Sequence, residues 1–334
     1  MPLATTFSSV LLALHLLSAF ALAGSIVLFS YLIVRSRNVD TPGSTIAMVP
    51  AARVASKVVI VGGIGTLVFG IWLAIRLDHV QVWSGWVIAA IVLWIVATAT
   101  GQRAGVEFER ALTKAGELES AGSTGPNAEL LTLNRSARGM TLHVVATITV
   151  FLIVIDMIWK PGASDIVAFR PDSWNVPLLI HITGAMILVG GVLGAAAALA
   201  LAGGDIGKVK LGYYSLLFVA FPGLVLTKIG ATAIWSKESS HSFIGAAFPH
   251  TDDPRWIMIG GTALDGGAGL LVLALILGWF GVRRMSGGES DFLTKVPVVK
   301  SMSGETLVRA TTIISVVLLV GYALAIWVMS TKPS

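Results

Sequence analysis

The sequence predicts an all-helical membrane protein, with eight transmembrane helices arranged as two parallel four-helix repeats and both termini extracytoplasmic. Three observations lead there. Hydrophobic residues fill 55% of the 334 positions and charged residues only 12%, whereas an average soluble domain carries about 25% charge. Apolar windows of bilayer-spanning length recur eight times. Two of those windows, Leu14–Gly24 and Ile180–Gly190, read as copies of each other.

The windows fall at about 7–34, 57–76, 83–102, 139–159, 174–202, 211–235, 256–282 and 308–330. Each reaches the roughly 20 residues that a helix needs to cross the hydrocarbon core. Helix is the expected form because lipid offers no partner to backbone polar groups. In the first window Ala21-Leu22-Ala23 mimics a signal-peptide cleavage site. No Lys or Arg precedes that run, however, and it continues to Val34, so it reads as a span rather than a secretory signal. The segment 103–137 is expected to open with a short charged amphipathic helix around Gly105–Leu118 and then turn at Ala121–Asn127. The loop 284–305 is polar and glycine-containing, and neither connection is long enough for a catalytic domain of its own.

Lys and Arg set the orientation. With the N-terminus outside, the inner segments hold sixteen of them and the outer segments six. Because topology accounts for the basic residues, the net charge of +5 gives no reason to expect a nucleic acid partner. The absence of cysteine excludes disulfides, thiolate metal sites and cysteine nucleophiles.

The internal likeness continues along the chain. His15 and His181 each have Ala at plus four, Leu at plus seven and Gly at plus nine. Gly63 and Gly70 match Gly223 and Gly230 in spacing, and Trp86 and Trp256 each open the next span. Each set of four spans closes on Met-x-x-Lys-Pro, at Met157–Pro161 and Met329–Pro333. The expected units are residues 1–162 and 163–334. With four spans each, they point the same way and are related by an axis along the membrane normal.

An imidazole inside a span is costly and marks a candidate site. His15 lies roughly 12 Å below the outer surface at the helical rise of about 1.5 Å per residue, with His181 at a similar level. Two roles fit them: an interhelical hydrogen bond, or axial ligation of a b-type haem in a helix bundle. Lys228 and Asp265 share the His181 layer, aligned with Val68 and Ile95 of the first unit. They read either as an ion pair fixing the helices or as a cation, tuned by a carboxylate, for a haem propionate or quinone oxygen. Asp156 shares the layer of His15. His143 lies about a dozen ångströms deeper by the same rise, which suits a Ser or Thr contact and not a shared iron. Met157 and Met186 could supply a sixth ligand or simply pack. In the outer loop, His241 and His250 with Asp252 and Asp253 could bind copper or zinc, or be solvated, and Asp78-His79 is a weaker pair of the same kind. Trp83, Trp86, Trp159, Trp174, Trp235 and Trp256 suit an aromatic belt.

The apolar-His start with Gly at plus nine, the four spans and the Met-x-x-Lys-Pro finish resemble a duplicated four-helix family of bacterial integral membrane proteins of unknown function. That family is related to copper resistance protein D and to the membrane protoporphyrinogen oxidase, which binds haem through a helix-one histidine. The resemblance covers nearly the whole chain, once per unit, and makes His15 and His181 the positions matching the family histidine. The aromatic residue that follows this histidine in oxidase-like members is absent, since Leu16, Leu17, Ile182 and Thr183 stand there.

Three functions are therefore expected to compete. The first is a redox protein of the bacterial plasma membrane that binds haem b or quinone through His15, His181, Lys228 and Asp265, with membrane or extracytoplasmic redox subunits as partners. The second is an accessory or anchor subunit without chemistry, and the third a copper or small-solute transporter. No phosphate-binding loop, dinucleotide fingerprint or nucleophile elbow occurs.

Overall fold

The structure, a computed structural model, describes residues 6–77, 80–163, 171–239, 242, 245–247, 253–287 and 302–331. Every regular element among them is helical. In chain order these are α1 (Thr6–Ser36), α2 (Pro42–Ile46), α3 (Val49–Arg76), α4 (Gly85–Ser120), α5 (Ala128–Asn134), α6 (Ala137–Trp159), α7 (Asn175–Ala200), α8 (Ile206–Ser215), α9 (Phe221–Glu238), α10 (Arg255–Met285) and α11 (Gly304–Thr331). Single 3₁₀ turns lie at Asp172–Trp174 and Gly245–Ala247. Eight helices, some formed by two consecutive elements, are long and apolar enough to cross a membrane, and the chain is a multi-pass membrane protein.

The amphipathic helix expected around Gly105–Leu118 is not separate. It is the far end of α4, which runs unbroken from Gly85 to Ser120 because no proline interrupts the chain where the apolar run gives way to charge. Ala111 and Ala115 of this extension pack on Leu130 of α5 and Ile46 of α2. The buried Glu107 lies 3.3 Å from Arg110 and 3.6 Å from Arg138. The Asn127 side chain caps α5, accepting the Leu130 N–H at 2.9 Å.

Between α8 and α9, Leu216–Ala220 form a π-helical turn. Pro222 follows it. Proline has no N–H to donate, and in a regular helix its ring collides with the carbonyl four residues back. The wider turn takes up that mismatch without exposing backbone to lipid.

The spans pack as antiparallel pairs: α1 with α3, α4 with α6, α7 with α9, and α10 with α11. The pair α1 and α7 runs in one direction through the middle of the bundle, Gly24 against Gly190 and Leu28 against Gly194. Among the described residues of α1, only Phe7 and Val34, at its ends, are large exposed hydrophobics, and in α7 only Val176 is. On α3, by contrast, Ile60, Val61, Ile64 and Val68 are exposed in one stripe, the pattern of a helix facing lipid. Small residues suit the central pair, because glycine lets backbones approach closely. α11 lies against both central helices.

The Met-x-x-Lys-Pro sequence at Met157 has a local task. Met157 packs on Trp86 and Val87. Lys160 takes the left-handed conformation (φ 42°) and lays its ammonium 5.6 Å over the Trp86 ring. The end of α6 thus clamps the start of α4. On the other pair, Met329 near the end of α11 fits against Gly260 near the start of α10.

Candidate functional site

His15 and His181 make the same contact. The Nδ1 of His15 is 3.0 Å from the carbonyl oxygen of Thr66 on α3. The Nδ1 of His181 is 3.0 Å from the carbonyl oxygen of Thr227 on α9. A carbonyl can only accept, so each Nδ1 carries the proton and donates it, and the neutral ring keeps its lone pair on Nε2. This is how a metal-ligating imidazole is oriented, one nitrogen held by an acceptor and the other left as a base. Both rings are half-buried.

Each threonine is itself locked. Thr66 Oγ1 donates to the Gly62 carbonyl at 2.7 Å and Thr227 Oγ1 donates to the Gly223 carbonyl at 2.7 Å. A Cβ on Gly62 would meet the Leu22 nitrogen and come within 2.9 Å of the Ser18 carbonyl oxygen. A Cβ on Gly223 would meet the Leu188 nitrogen and come within 2.9 Å of the Gly184 carbonyl oxygen. Ser18 stands three residues and Leu22 seven after His15, the places that Gly184 and Leu188 hold after His181. The unit is therefore His-x₂-small-x₃-Leu on one helix against Gly-x₃-Thr on its partner. The glycine in Gly223's place is Gly62, one residue before the Gly63 expected from the seven-residue spacing, and this register sets Lys228 opposite Leu67 rather than Val68.

The close approach is met differently in the two pairs. Beside Ser18 stands Gly65, whose added Cβ would fall 2.9 Å from the serine Cβ. In the other pair the glycine is Gly184, whose added Cβ would fall 2.8 Å from Leu226. The glycine stands on α3 in one pair and on α7 in the other.

Heights follow from the shared crossing. Gly24 and Gly190 each stand nine residues after their histidine, so both imidazoles lie about 13 Å along the axis from that crossing. Both are near the end of the bundle where α1 begins and α11 finishes, called here the proximal end. Lys228 follows Thr227 and donates a hydrogen bond to Asp265 of α10. These side chains are 30% and 33% exposed. The two helices otherwise touch sparsely, so the ion pair is the main stitch between α9 and α10, while α11 packed on α7 joins the two helix pairs. At the corresponding seam between α3 and α4, the Trp94 indole donates to the Gly63 carbonyl at 3.1 Å, a link that the sequence reading missed.

His143 is apart from this layer, as its depth predicts: its Nε2 is 2.8 Å from Ser30 Oγ, joining α6 to α1. Met186 packs with Ala23, Ala97 and Val150. Asp156 is buried, and its Oδ2 has no hydrogen-bond partner. His241, His250, Asp252, Asp78 and His79 lie outside the described residues. Among the described residues no group of three or more His, Cys, Asp or Glu side chains could hold a metal ion. An iron here would need a macrocycle to fill its other positions.

No protein-family model, curated protein or solved structure matches the chain.

Proposed function

We propose that this is a redox protein of the bacterial plasma membrane, built from two four-helix units (residues 1–162 and 163–334) and binding b-type haem through Nε2 of His15 and His181. What carries this reading is the paired Nδ1–H to threonine-carbonyl bond, which fixes on each ring the tautomer an iron ligand needs. The matching Gly-x₃-Thr cradles and the contact of Gly24 with Gly190 support a duplicated scaffold with its axis along the membrane normal. The bias of Lys and Arg supports termini on the extracytoplasmic side. Haem would supply one-electron exchange. Lys228, held by Asp265 on the level of His181, would supply a cation to a propionate or to a quinone oxygen. Membrane quinone and extracytoplasmic redox subunits are the electron partners this placement suits.

The test is the visible spectrum of the detergent-purified protein, as isolated and after addition of haemin. A Soret band that shifts on dithionite reduction, and that shrinks in both His15→Ala and His181→Ala, is the expected result. A protein that stays colourless with haemin, or a band indifferent to both substitutions, overturns the assignment. The self-contained Lys228–Asp265 pair favours a second reading, a non-catalytic anchor subunit. That reading requires a colourless protein that copurifies with other membrane subunits.

A further inference from the structure

The buried polar side chains are not satisfied evenly along the bundle. Among the described residues, four buried side-chain atoms have no hydrogen-bond partner: Asp156 Oδ2, Thr183 Oγ1, Trp235 Nε1 and Tyr322 Oη. All four lie in the proximal half. His181 faces Gly230 and Leu188 faces Gly223, which sets Thr183 level with Lys228. Trp235 lies two turns nearer the proximal end, on the Lys228 stripe of α9. Tyr322, 6% exposed, faces Gly267, where an added Cβ would fall 2.6 Å from its hydroxyl; Gly267, two residues beyond Asp265, is on the other face of α10, toward α11. In the distal half, buried hydroxyls such as Thr311, Ser315 and Ser215 all donate to carbonyls.

Among α7, α10 and α11 the two halves are divided by a buried leucine layer. Leu188, Leu271 and Leu318 stand at one level and belong to one buried cluster, no more than 2% exposed. Above them, the α9–α10 seam is held by little besides an ion pair that is a third exposed. Ionisable groups inside spans face the bundle interior or water-filled cavities. An indole N–H can only donate, so Trp235, on the Lys228 stripe, calls for an acceptor, and water at the seam meets that need and solvates the ion pair.

We propose that the α9–α10 seam is a water inlet. It opens at the proximal end beside Trp235, reaches Lys228 and Asp265, and stops at the Leu188–Leu271–Leu318 layer. Its ligand is water, and with it protons, which exchange with the ion pair from one face of the membrane only. This goes beyond the haem reading and stands without it.

The chain has no cysteine, so single cysteines can report water directly. A charged thiosulfonate reacts with thiolate, which forms in water and not in lipid. Ala231→Cys lies on the proximal side of the ion pair, Ala274→Cys beyond the leucine layer, and Ile229→Cys faces lipid. In nanodiscs, with reagent reaching both faces, Ala231→Cys is expected to label at least tenfold faster than the other two. Equal rates at Ala231→Cys and Ile229→Cys overturn the inlet. Fast labelling at Ala274→Cys overturns the closed inner end. None of these readouts involves haem, so failure here leaves the spectral test intact.

Discussion

Gly24 and Gly190 touch each other where the two central helices cross. A Cβ on Gly24 would sit 3.3 Å from the Gly190 nitrogen, and one on Gly190 would sit 2.6 Å from the Gly24 carbonyl oxygen. The residues nine positions after the two histidines thus form one contact, which ties the height of one imidazole to that of the other.

The first prediction follows from that contact. Gly190→Val drives side-chain atoms into the Gly24 carbonyl and Val27, and neither is the free end of a flexible chain. Overpacking of this kind costs about 1–3 kcal/mol. The melting temperature of the detergent-solubilised protein should fall clearly, while a valine at Gly105, where an added Cβ meets nothing within 4 Å, should cost far less.

A second prediction concerns the cradles. Gly223→Ala pushes α9 off Leu188 and lengthens the His181–Thr227 bond, and Gly62→Ala does the same to His15 and Thr66. Loss of one such bond is worth about 0.5–1.5 kcal/mol, added to the packing cost. If haem binds as proposed, each alanine should also weaken its retention, read as Soret absorbance per protein after gel filtration. Unchanged stability in both variants would contradict the tight contacts described.

The ion pair gives a third. Asp265→Ala leaves Lys228 without its carboxylate, whereas Lys228→Met with Asp265→Leu removes both charges. Stranding a charge in a fully buried pair costs about 3–5 kcal/mol, and replacing the pair by apolar groups is often neutral. Since a third of each side chain is exposed, the single substitution should cost less than that range yet more than the double one, as thermal melts can compare.

The fourth concerns the other seam. Trp94→Phe keeps the ring and deletes the donor to Gly63, at about 0.5–1.5 kcal/mol. It should loosen α3 from α4 without disturbing the Lys228–Asp265 seam, as hydrogen exchange resolved by peptide can show.

The spans were legible because lipid leaves a chain few alternatives, and hydropathy alone placed all eight. The end of α4 was not, since charge beyond Gln102 looked like the start of a new element when nothing in the chain stops the helix. The two histidines and the Lys228–Asp265 level could be read from depth. Their partners could not: Thr66 and Thr227 act through backbone carbonyls, which every residue has. The usable signal was Gly-x₃-Thr, and the extra glycines at Gly63 and Gly65 hid its register. The π turn had a signal in Pro222, a proline well inside a span.

The central position of α7 also fixes the order of assembly. α1 enters the bilayer long before α7 has been synthesised, and its Gly24 face has no lasting partner until roughly half the chain has been made. The early spans must wait with that face turned to lipid or to a transient companion. A fragment ending near residue 162 would carry the same unmatched surface, and its nearest substitute is the Gly24 face of another copy of itself.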